Sequence, residues 1–336
     1  MTDCHHGSVQ KYGLMLITMI FLLLSSRLSL SQGAIVDLYG PYLGQEPPGM
    51  EPRILVPEDL RSNAEWWWHG APVFSPDGRE FYLDIYLPNQ GIRVRFMEMD
   101  PADSLWTAPQ APGFADSFDT TGPSFTPDGN RIFFISGRPD RLVWVCNRTS
   151  NGWSTPQPIE IPVPASLGFG WRVTADRDET LYMRMTDSQR DTGYDIYRIR
   201  KVNGNYLQPE RLDANVNSPY TEIGAFVDPD GRFLIFESDR PGGYGSGDLY
   251  ISYRAPDGSW TPAMNLGEPV NSSSNEGSPY VSPDGRFFFF LSDRRLQYDW
   301  NPYWVDSRFV LDDIDPEQVP SPRRPSGRRR PMSDGP

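Results

Sequence analysis

Three ionisable side chains hold the same position in three copies of a sequence repeat. His69, Glu222 and Glu276 each stand seven residues before the turn position that marks a copy. Two carboxylates and an imidazole can act as general acid and base, or hold a cation, if they converge within a few ångströms. If the chain is an enzyme, these three are the predicted catalytic residues. The alternative is that both glutamates cap backbone N–H groups and that His69 is an ordinary loop residue.

Aromatic residues cluster in the loops predicted for the same face. The stretch EWWWHG places Trp66, Trp67 and Trp68 directly before His69. Flat rings beside carboxylates are typical of glycan sites, where a sugar face stacks on the ring and its rim forms hydrogen bonds. The alternative is that these rings pack between structural repeats. Other aromatics predicted for this face are Phe169, Trp171, Tyr220, Tyr244, Tyr298 and Trp300. The predicted ligand-binding residues are Trp67, Trp68, His69, Arg172, Glu222 and Glu276.

A repeat of roughly 50 residues must position these side chains. The stretch SPDGRFFFFLSDR, residues 282–294, has the related copies FSPDGREFYLDI, FTPDGNRIFFIS, VTADRDETLYMR and VDPDGRFLIFES. Proline presets φ, aspartate bonds to local backbone and glycine takes a positive φ, so each Pro-Asp-Gly predicts a hairpin tip. The apolar run after the turn suits a strand covered on both faces. The copies are centred on Pro76, Pro127, Ala175, Pro229 and Pro283.

Each copy continues into two further strand-like segments, so one unit consists of four short strands. DLYISYR followed by SWTPAMNLGEPVNS matches YDIYRIR followed by NYLQPERLDANVNS. Units of this kind in series predict an all-β fold, a β-propeller. The 30 glycines and 34 prolines in 336 residues agree with a turn-rich chain, since the two together usually make up about 12%.

The fifth unit lacks an outer strand, and the segment Met50–Asn63 reads like the outer strands of the other units. We expect this segment to close the ring as the outer strand of the last blade, which removes exposed strand edges. Five blades result, because a sixth would need residues that the chain lacks. The predicted organisation is a signal peptide (1–31), an entry segment (32–49), the propeller (50–311) and a disordered Pro- and Arg-rich tail (312–336).

The repeat resembles that of a known family. DPDGRFLIFESDRPGGYGSGDLYISYR, from Asp228, followed by WTP and NLGEPVNS, is similar to the TolB-type, WD40-like β-propeller repeat of exported bacterial proteins. The likeness covers roughly residues 40–311, and the third copy departs from it by lacking Pro and Gly at its turn. The resemblance implies the fold but no particular activity, because such propellers bind, scaffold or hydrolyse.

The N-terminal sequence predicts the localisation, and the cysteines predict whether a disulfide can form. The apolar run Leu14–Leu24 is too short to span a bilayer comfortably and precedes small residues near Ser31, which predicts an export signal and a periplasmic or secreted protein with no stable membrane span. Removal of the signal leaves Cys146 as the remaining cysteine, so no internal disulfide is expected.

Charge and composition limit the partners. The net charge of −13 argues against nucleic acid. The SDRPGGYGSGD loop fits no calcium motif, and we interpret its Asp239–Arg240 pair as a hydrogen-bonded structural corner that recurs at Asp293 and Arg294. We predict no metal, no cofactor and a monomer.

Three enzyme classes are disfavoured by missing motifs. The Asp box of sialidases, the nucleophile elbow of propeller peptidases and the histidines of a zinc hydrolase are not found in the sequence. The predicted function is an exported, non-catalytic binding or scaffold module whose partner is a glycan or a protein of the cell envelope. The alternative is a five-bladed glycoside hydrolase that uses channel carboxylates.

Overall fold

A computed structural model describes residues 38–57, 60, 67–115, 119–137, 143–190 and 193–311. The predicted signal peptide, the predicted tail and Trp66 lie outside the described residues. The described helices are a 3-10 turn, Pro41–Gly44, and the short helix α1, Arg308–Leu311. No helix among the described residues is long and apolar enough to cross a membrane.

A tight turn joins the first two strands of each repeat. In the fifth repeat Gly285 has a φ of 72°, as the Pro-Asp-Gly sequence predicts. In the third repeat Glu179 takes the left-handed φ of 56° in place of a glycine. That turn is kept because Asp176 accepts hydrogen bonds from the backbone N–H groups of Asp178 and Thr180.

The strands form five small antiparallel sheets, the blades of a five-bladed β-propeller. Strand β1 (Arg53–Ile54) comes first in the chain and belongs to the last blade. The first blade contains β2 (Trp67–Trp68), β3 (Val73–Phe74), β4 (Glu80–Leu87) and β5 (Gly91–Glu98). Both β2 and β3 pair with β4, so they are two halves of one interrupted inner strand.

The next two blades follow in chain order. The second blade contains β6 (Thr120–Phe125), β7 (Arg131–Ser136), β8 (Val143–Thr149), β9 (Gly152–Trp153) and β10 (Gln157–Pro158). The third contains β11 (Leu167–Ala175), β12 (Leu181–Asp187), β13 (Tyr194–Ile199) and β16 (Glu210–Arg211). Between β13 and β16 the chain forms a separate hairpin, which consists of β14 (Lys201–Val202) and β15 (Asn205–Tyr206).

The last two blades are the most regular. The fourth contains β17 (Glu222–Val227), β18 (Phe233–Ser238), β19 (Asp248–Tyr253) and β20 (Met264–Asn265). The fifth contains β21 (Glu276–Val281), β22 (Phe287–Ser292) and β23 (Asn301–Asp306), with β1 on its outer edge.

The N-terminal segment closes the ring, which confirms the prediction. Arg53 pairs with Trp304 and Ile54 with Tyr303, so β1 supplies the outer strand of the fifth blade. The segment just before it contacts the first blade as well, because the indole of Trp106 donates a 2.7 Å hydrogen bond to the carbonyl of Gly40. One stretch of chain therefore joins the first and last blades.

The position of β22 between two neighbouring blades explains why it carries four consecutive phenylalanines. Phe287 and Phe289 pack into the cluster shared with the first blade, while Phe288 and Phe290 pack into the cluster shared with the fourth. All four are buried. Full burial of each ring contributes about 1.5–3 kcal/mol, so the alternation of β22 side chains holds one blade against both neighbours.

Candidate functional site

Glu222 and Glu276 lie inside the blades, each in a closed hydrogen-bond network. Glu276 is fully buried. Its carboxylate accepts hydrogen bonds from the backbone N–H of Ser272 at 2.9 Å and from the Ser292 hydroxyl at 2.8 Å. Arg294 completes the network with an N···O distance of 3.1 Å. Glu222 repeats this arrangement in the fourth blade with Ser218, Ser238 and Arg240.

This geometry corresponds to the structural alternative considered for the two glutamates. Each caps the N–H of a loop serine and neutralises an arginine from the next strand connection, so its charge is already paired. The predicted hydrogen-bonded pair of Asp239 and Arg240 has different partners in the structure. Arg240 donates to Glu222, whereas Asp239 accepts from the backbone N–H of Thr221 at 2.7 Å. In the part of the chain that the structure describes, neither glutamate lines the channel cavity.

The central channel opens into a cavity of about 270 Å³ with both charged and aromatic lining residues, which we call the funnel. Three of the predicted ligand-binding residues, Trp68, His69 and Arg172, line it. Three further charged residues line the funnel, Asp84, Arg184 and Glu237, and none of them was predicted from the repeat. Trp171 and Trp300, which were predicted for this face, complete the aromatic lining.

The three missed residues share one position on the second strands of their blades. We count along the second strand of each blade from the residue that forms the cross-strand pair nearest the turn. Three residues further on, the five blades carry in order Asp84, Ile135, Arg184, Glu237 and Leu291. A charge inside an otherwise apolar strand, as in FYLDIYL, LYMRM and FLIFES, is the sequence signal that could have identified them. Variation among matched positions shows that the repeat does not require a charge there.

Glycines on the inner strands make room for these charged side chains. A β-carbon on Gly70 would lie 2.8 Å from Oδ2 of Asp84. A β-carbon on Gly170 would overlap the side chain of Arg184, and one on Gly277 would overlap the carboxylate of Glu237. The funnel therefore exists because small inner-strand residues leave space beside the channel axis.

Asp84 is 4% exposed and is bonded through one oxygen only. Its Oδ2 accepts hydrogen bonds from the Thr121 hydroxyl at 2.8 Å and the Gly122 N–H at 2.7 Å. Its Oδ1 has no hydrogen-bond partner among the described residues. Burial raises the pKa of this carboxyl, while the two bonds and the nearby His69 and Arg172 oppose that rise.

His69 lies beside Asp84, and its burial favours the neutral imidazole. Its backbone N–H donates to the carbonyl of Asp84 at 3.0 Å. Burial lowers the pKa of its imidazole below the ordinary 6.5, with the Asp84 charge opposing the effect. Its ring lies edge-on to Trp171, with 6.1 Å between ring centroids. A neutral imidazole in this position can donate one hydrogen bond and accept another.

Arg172 and Arg184 supply cations to the funnel. The Nε–H of each is buried and has no hydrogen-bond partner within the described part of the chain. Burial lowers the pKa of both guanidinium groups, yet an arginine remains protonated in proteins. Arg184 lies over the ring of Tyr194 at 4.6 Å, which holds it without neutralising it.

Glu237 is the second carboxyl of the funnel and titrates near neutrality. Burial raises its pKa to about 7, while Arg184 opposes the rise and the charges of Asp239 and Glu276 add to it. At neutral pH the side chain therefore exists both as a carboxylate and as a protonated donor. A group with these two states can accept or donate a proton at physiological pH.

An exposed aromatic surface, which we call the platform, adjoins the funnel. Trp67 is 65% exposed and stacks on Tyr86 with ring centroids 5.7 Å apart. Tyr298 and Leu296, from the loop between β22 and β23, are also exposed. The platform borders an open cavity of about 1120 Å³. The two cavities share the lining residues Trp68, His69 and Trp300.

The adjacent tryptophans have different roles. Trp68 is 7% exposed and belongs to the core between the first and fifth blades. Among the other predicted aromatics, Phe169 packs against the core of the third blade. Tyr220 and Tyr244 are exposed, but neither lines the funnel or the platform cavity within the described residues. Of the predicted aromatics, those that line the funnel or the platform cavity are Trp67, Trp68, Trp171, Tyr298 and Trp300.

A second cavity lies at the other end of the channel. Its volume is about 390 Å³, and it is lined by the recurring turn residues, among them Pro76, Pro127, Pro229 and Pro283. Because these residues recur in the repeat, we attribute this cavity to the architecture. No group of three or more potential metal ligands was found among the described residues.

Comparison with known proteins finds similarity of structure but not of sequence family. No protein-family model matches the chain, and no curated protein matches it. A TolB candidate from Agrobacterium tumefaciens is 20% identical with a TM-score of 0.44, over 70% of this chain and 76% of the other. TolB from Acinetobacter baumannii is 14% identical with a TM-score of 0.41, over 86% of this chain and 54% of the other.

An enzyme also appears among the similar structures. An α-L-arabinofuranosidase from Lactobacillus brevis is 13% identical with a TM-score of 0.44, over 72% of this chain and 91% of the other. The chain spans only about half the length of the Acinetobacter TolB. These similarities are distant and identify no ligand of this chain.

Proposed function

We propose that this protein is an exported carbohydrate-binding β-propeller that holds a glycan of the cell envelope at the mouth of its channel and performs no chemistry on it. The observation that carries the proposal is the continuity of the platform with the funnel through Trp68, His69 and Trp300. Sugar rings present an apolar face to aromatic side chains and a rim of hydroxyls to polar groups.

The dimensions support one sugar in the funnel and further sugars on the platform. The funnel volume of about 270 Å³ falls just below the range of about 300–1,000 Å³ that is typical of sites for drug-sized ligands. A single ring fits that scale. Exposed stacked rings beside it, such as Trp67 on Tyr86, offer an extended apolar surface for the rest of a chain.

A second candidate function is glycoside hydrolysis by Asp84 and Glu237. The observation that favours it is that both carboxyls line one cavity and both have raised pKa values. A carboxyl that titrates near 7 is suited to general acid catalysis. These two residues replace Glu222 and Glu276 as the carboxylates on which the hydrolase hypothesis depends.

The test is a glycan array probed with the full chain, followed by titration calorimetry and product analysis on every glycan that binds. A binder retains its glycan intact after prolonged incubation. If products form, Glu237→Gln or Asp84→Asn should remove most of the rate, about 10²–10⁴-fold, and the non-catalytic proposal would be overturned. Absence of binding to any glycan, with folding confirmed by circular dichroism, would refute both functions.

A further inference from the structure

Arg172 lies between the two ends of the channel. It lines both the funnel and the cavity at the opposite end, and no other described residue is shared between them. It comes from a bulge in β11, where three residues lie between Phe169 and Val173 but one residue lies between their pairing partners on β12. Such bulges redirect a side chain out of the regular alternation. The funnel is therefore a pocket whose floor is a guanidinium group.

A glycine in the second blade lets Arg172 approach this position. Gly122 has a φ of 64°, and a β-carbon on it would lie 2.6 Å from the carbonyl oxygen of Trp171 and 2.7 Å from Cα of Arg172. The backbones of the second and third blades thus meet at the channel floor. Arg172 thus separates the funnel from the cavity at the opposite end of the channel, so a ligand that enters the funnel ends at its side chain.

The two funnel arginines differ from four other arginines of the propeller in their hydrogen bonds. Several arginines pair directly with a buried carboxylate: Arg211 with Asp195, Arg232 with Asp228, Arg240 with Glu222 and Arg294 with Glu276. Among the described residues, no ion pair involves Arg172 or Arg184, and each has an unbonded Nε–H. A buried N–H donor without a partner lowers the stability of the folded state, which indicates that a ligand accepts these hydrogen bonds.

The funnel also contains an acceptor without a partner, Oδ1 of Asp84. A ligand that completes the site must therefore carry both a strong acceptor for the arginines and a donor for Asp84. A uronic acid residue has both on one ring, a carboxylate and several hydroxyl groups. A neutral sugar offers the guanidinium groups uncharged oxygen acceptors only, whereas a carboxylate adds a negative charge and can accept two parallel N–H bonds from one arginine.

We infer that the funnel binds the terminal uronic acid residue of a glycan, with its carboxylate on Arg172 and Arg184 and a ring hydroxyl on Asp84. This inference rests on the proposed function, because the platform then holds the preceding sugars. Specificity for the chain end follows from the closed floor, and specificity for acid follows from the two unpaired arginines.

The test uses galacturonic acid and galactose in linear trisaccharides, with titration calorimetry on the full chain. The acid is placed at either end or only in the middle, and the methyl ester of each terminal isomer serves as its neutral match. A terminal acid should bind at least about tenfold more tightly than its ester and than the internal isomer. Arg184→Gln should abolish this preference, while Arg177→Gln, an exposed arginine of a turn, should preserve it.

Each outcome decides a different part of the hypothesis. Equal affinity for acid and ester would overturn the acid preference while leaving the carbohydrate-binding function intact. Equal affinity for terminal and internal isomers would overturn recognition of the chain end. If no trisaccharide binds although the glycan array yields another ligand, this inference fails and the carbohydrate-binding function stands. If the array also yields no ligand, both fail. Arg172→Gln is measured alongside Arg184→Gln, and thermal unfolding of each variant separates lost binding from lost folding.

Discussion

The carboxylate of Glu237 occupies the space that a β-carbon on Gly277 would fill. The two residues come from different blades, so this contact defines the wall of the funnel. Gly277→Ala should displace the flexible end of Glu237 at little cost to stability and should weaken glycan binding. Gly122→Ala should instead lower the free energy of unfolding by more than about 1 kcal/mol, because it combines a φ of 64° with a backbone contact.

Urea unfolding and calorimetry distinguish these two effects. Gly113→Ala is the matched control, because a β-carbon there would meet nothing within 4 Å. Unchanged binding by a well-folded Gly277→Ala variant would show that the position of Glu237 does not matter for the ligand.

The pKa of Glu237 predicts a pH dependence of stability. Its folded-state value of about 7 lies above the ordinary 4.5, so the folded chain holds this proton more tightly than the unfolded chain. The stabilisation is therefore complete below about pH 4.5 and is lost as the pH rises toward 7. The loss should be on the order of 1–3 kcal/mol. The groups around Glu237 are Arg184, Asp239 and Glu276.

Unfolding measured from pH 4.5 to 8 in the wild type and in Glu237→Gln tests this dependence. The variant should lose the decline between pH 5 and 7, whereas Glu98→Gln, an exposed control, should keep it. An identical decline in wild type and Glu237→Gln would assign the titration to another group. Affinity for an acidic glycan should also increase as the pH falls through 7, because protonation removes a negative charge from the funnel.

Glu276→Gln tests the structural role of the buried glutamates. The substitution removes the charge of the fully buried Glu276, which is the partner of the partly buried Arg294, so the free energy of unfolding should fall by about 3–5 kcal/mol. Glycan affinity of the fraction that remains folded should change little, since Glu276 is not among the described residues that line the funnel. Glu268→Gln, an exposed neighbour in sequence, is the control. If the Glu276→Gln protein folds but no longer binds glycan, Glu276 contributes to the binding site.

The turn sequences were sufficient to predict the five blades, because Pro-Asp-Gly specifies a hairpin locally. The closing strand was predicted from the likeness of the segment Met50–Asn63 to the other outer strands. The site was harder to predict because inner strands are interrupted by bulges, where side-chain direction no longer follows a period of two. The third blade also has a shorter turn, so Phe169, not Gly168, matches Glu222 in cross-strand pairing. Positions aligned by the turn alone were therefore offset there.

Ring closure can be tested by substitution as well as by deletion. Leu55 follows β1 and is fully buried between the first and fifth blades. Leu55→Ala should lower the free energy of unfolding by about 2–5 kcal/mol, whereas Arg53→Ala, which removes an exposed side chain, should have little effect. Deletion of residues 32–63 should abolish soluble folding, since it exposes a strand edge. A soluble deletion variant with cooperative unfolding would contradict the closing role.

Trp67→Ala tests the platform directly. Trp67 is exposed and stacked on Tyr86, so its removal should cost little stability. Stacking of an aromatic ring contributes about 0.5–1.5 kcal/mol beyond the buried area, so affinity should fall about three- to tenfold. Trp67→Phe should recover part of the loss because a flat ring remains. Tyr220→Ala is the matched control, an exposed aromatic outside both cavity linings. Calorimetry with oligosaccharides of increasing length should show the Trp67 effect only for chains long enough to extend from the funnel. Equal losses for a monosaccharide and a longer chain would place Trp67 at the first sugar and remove the platform from the mechanism.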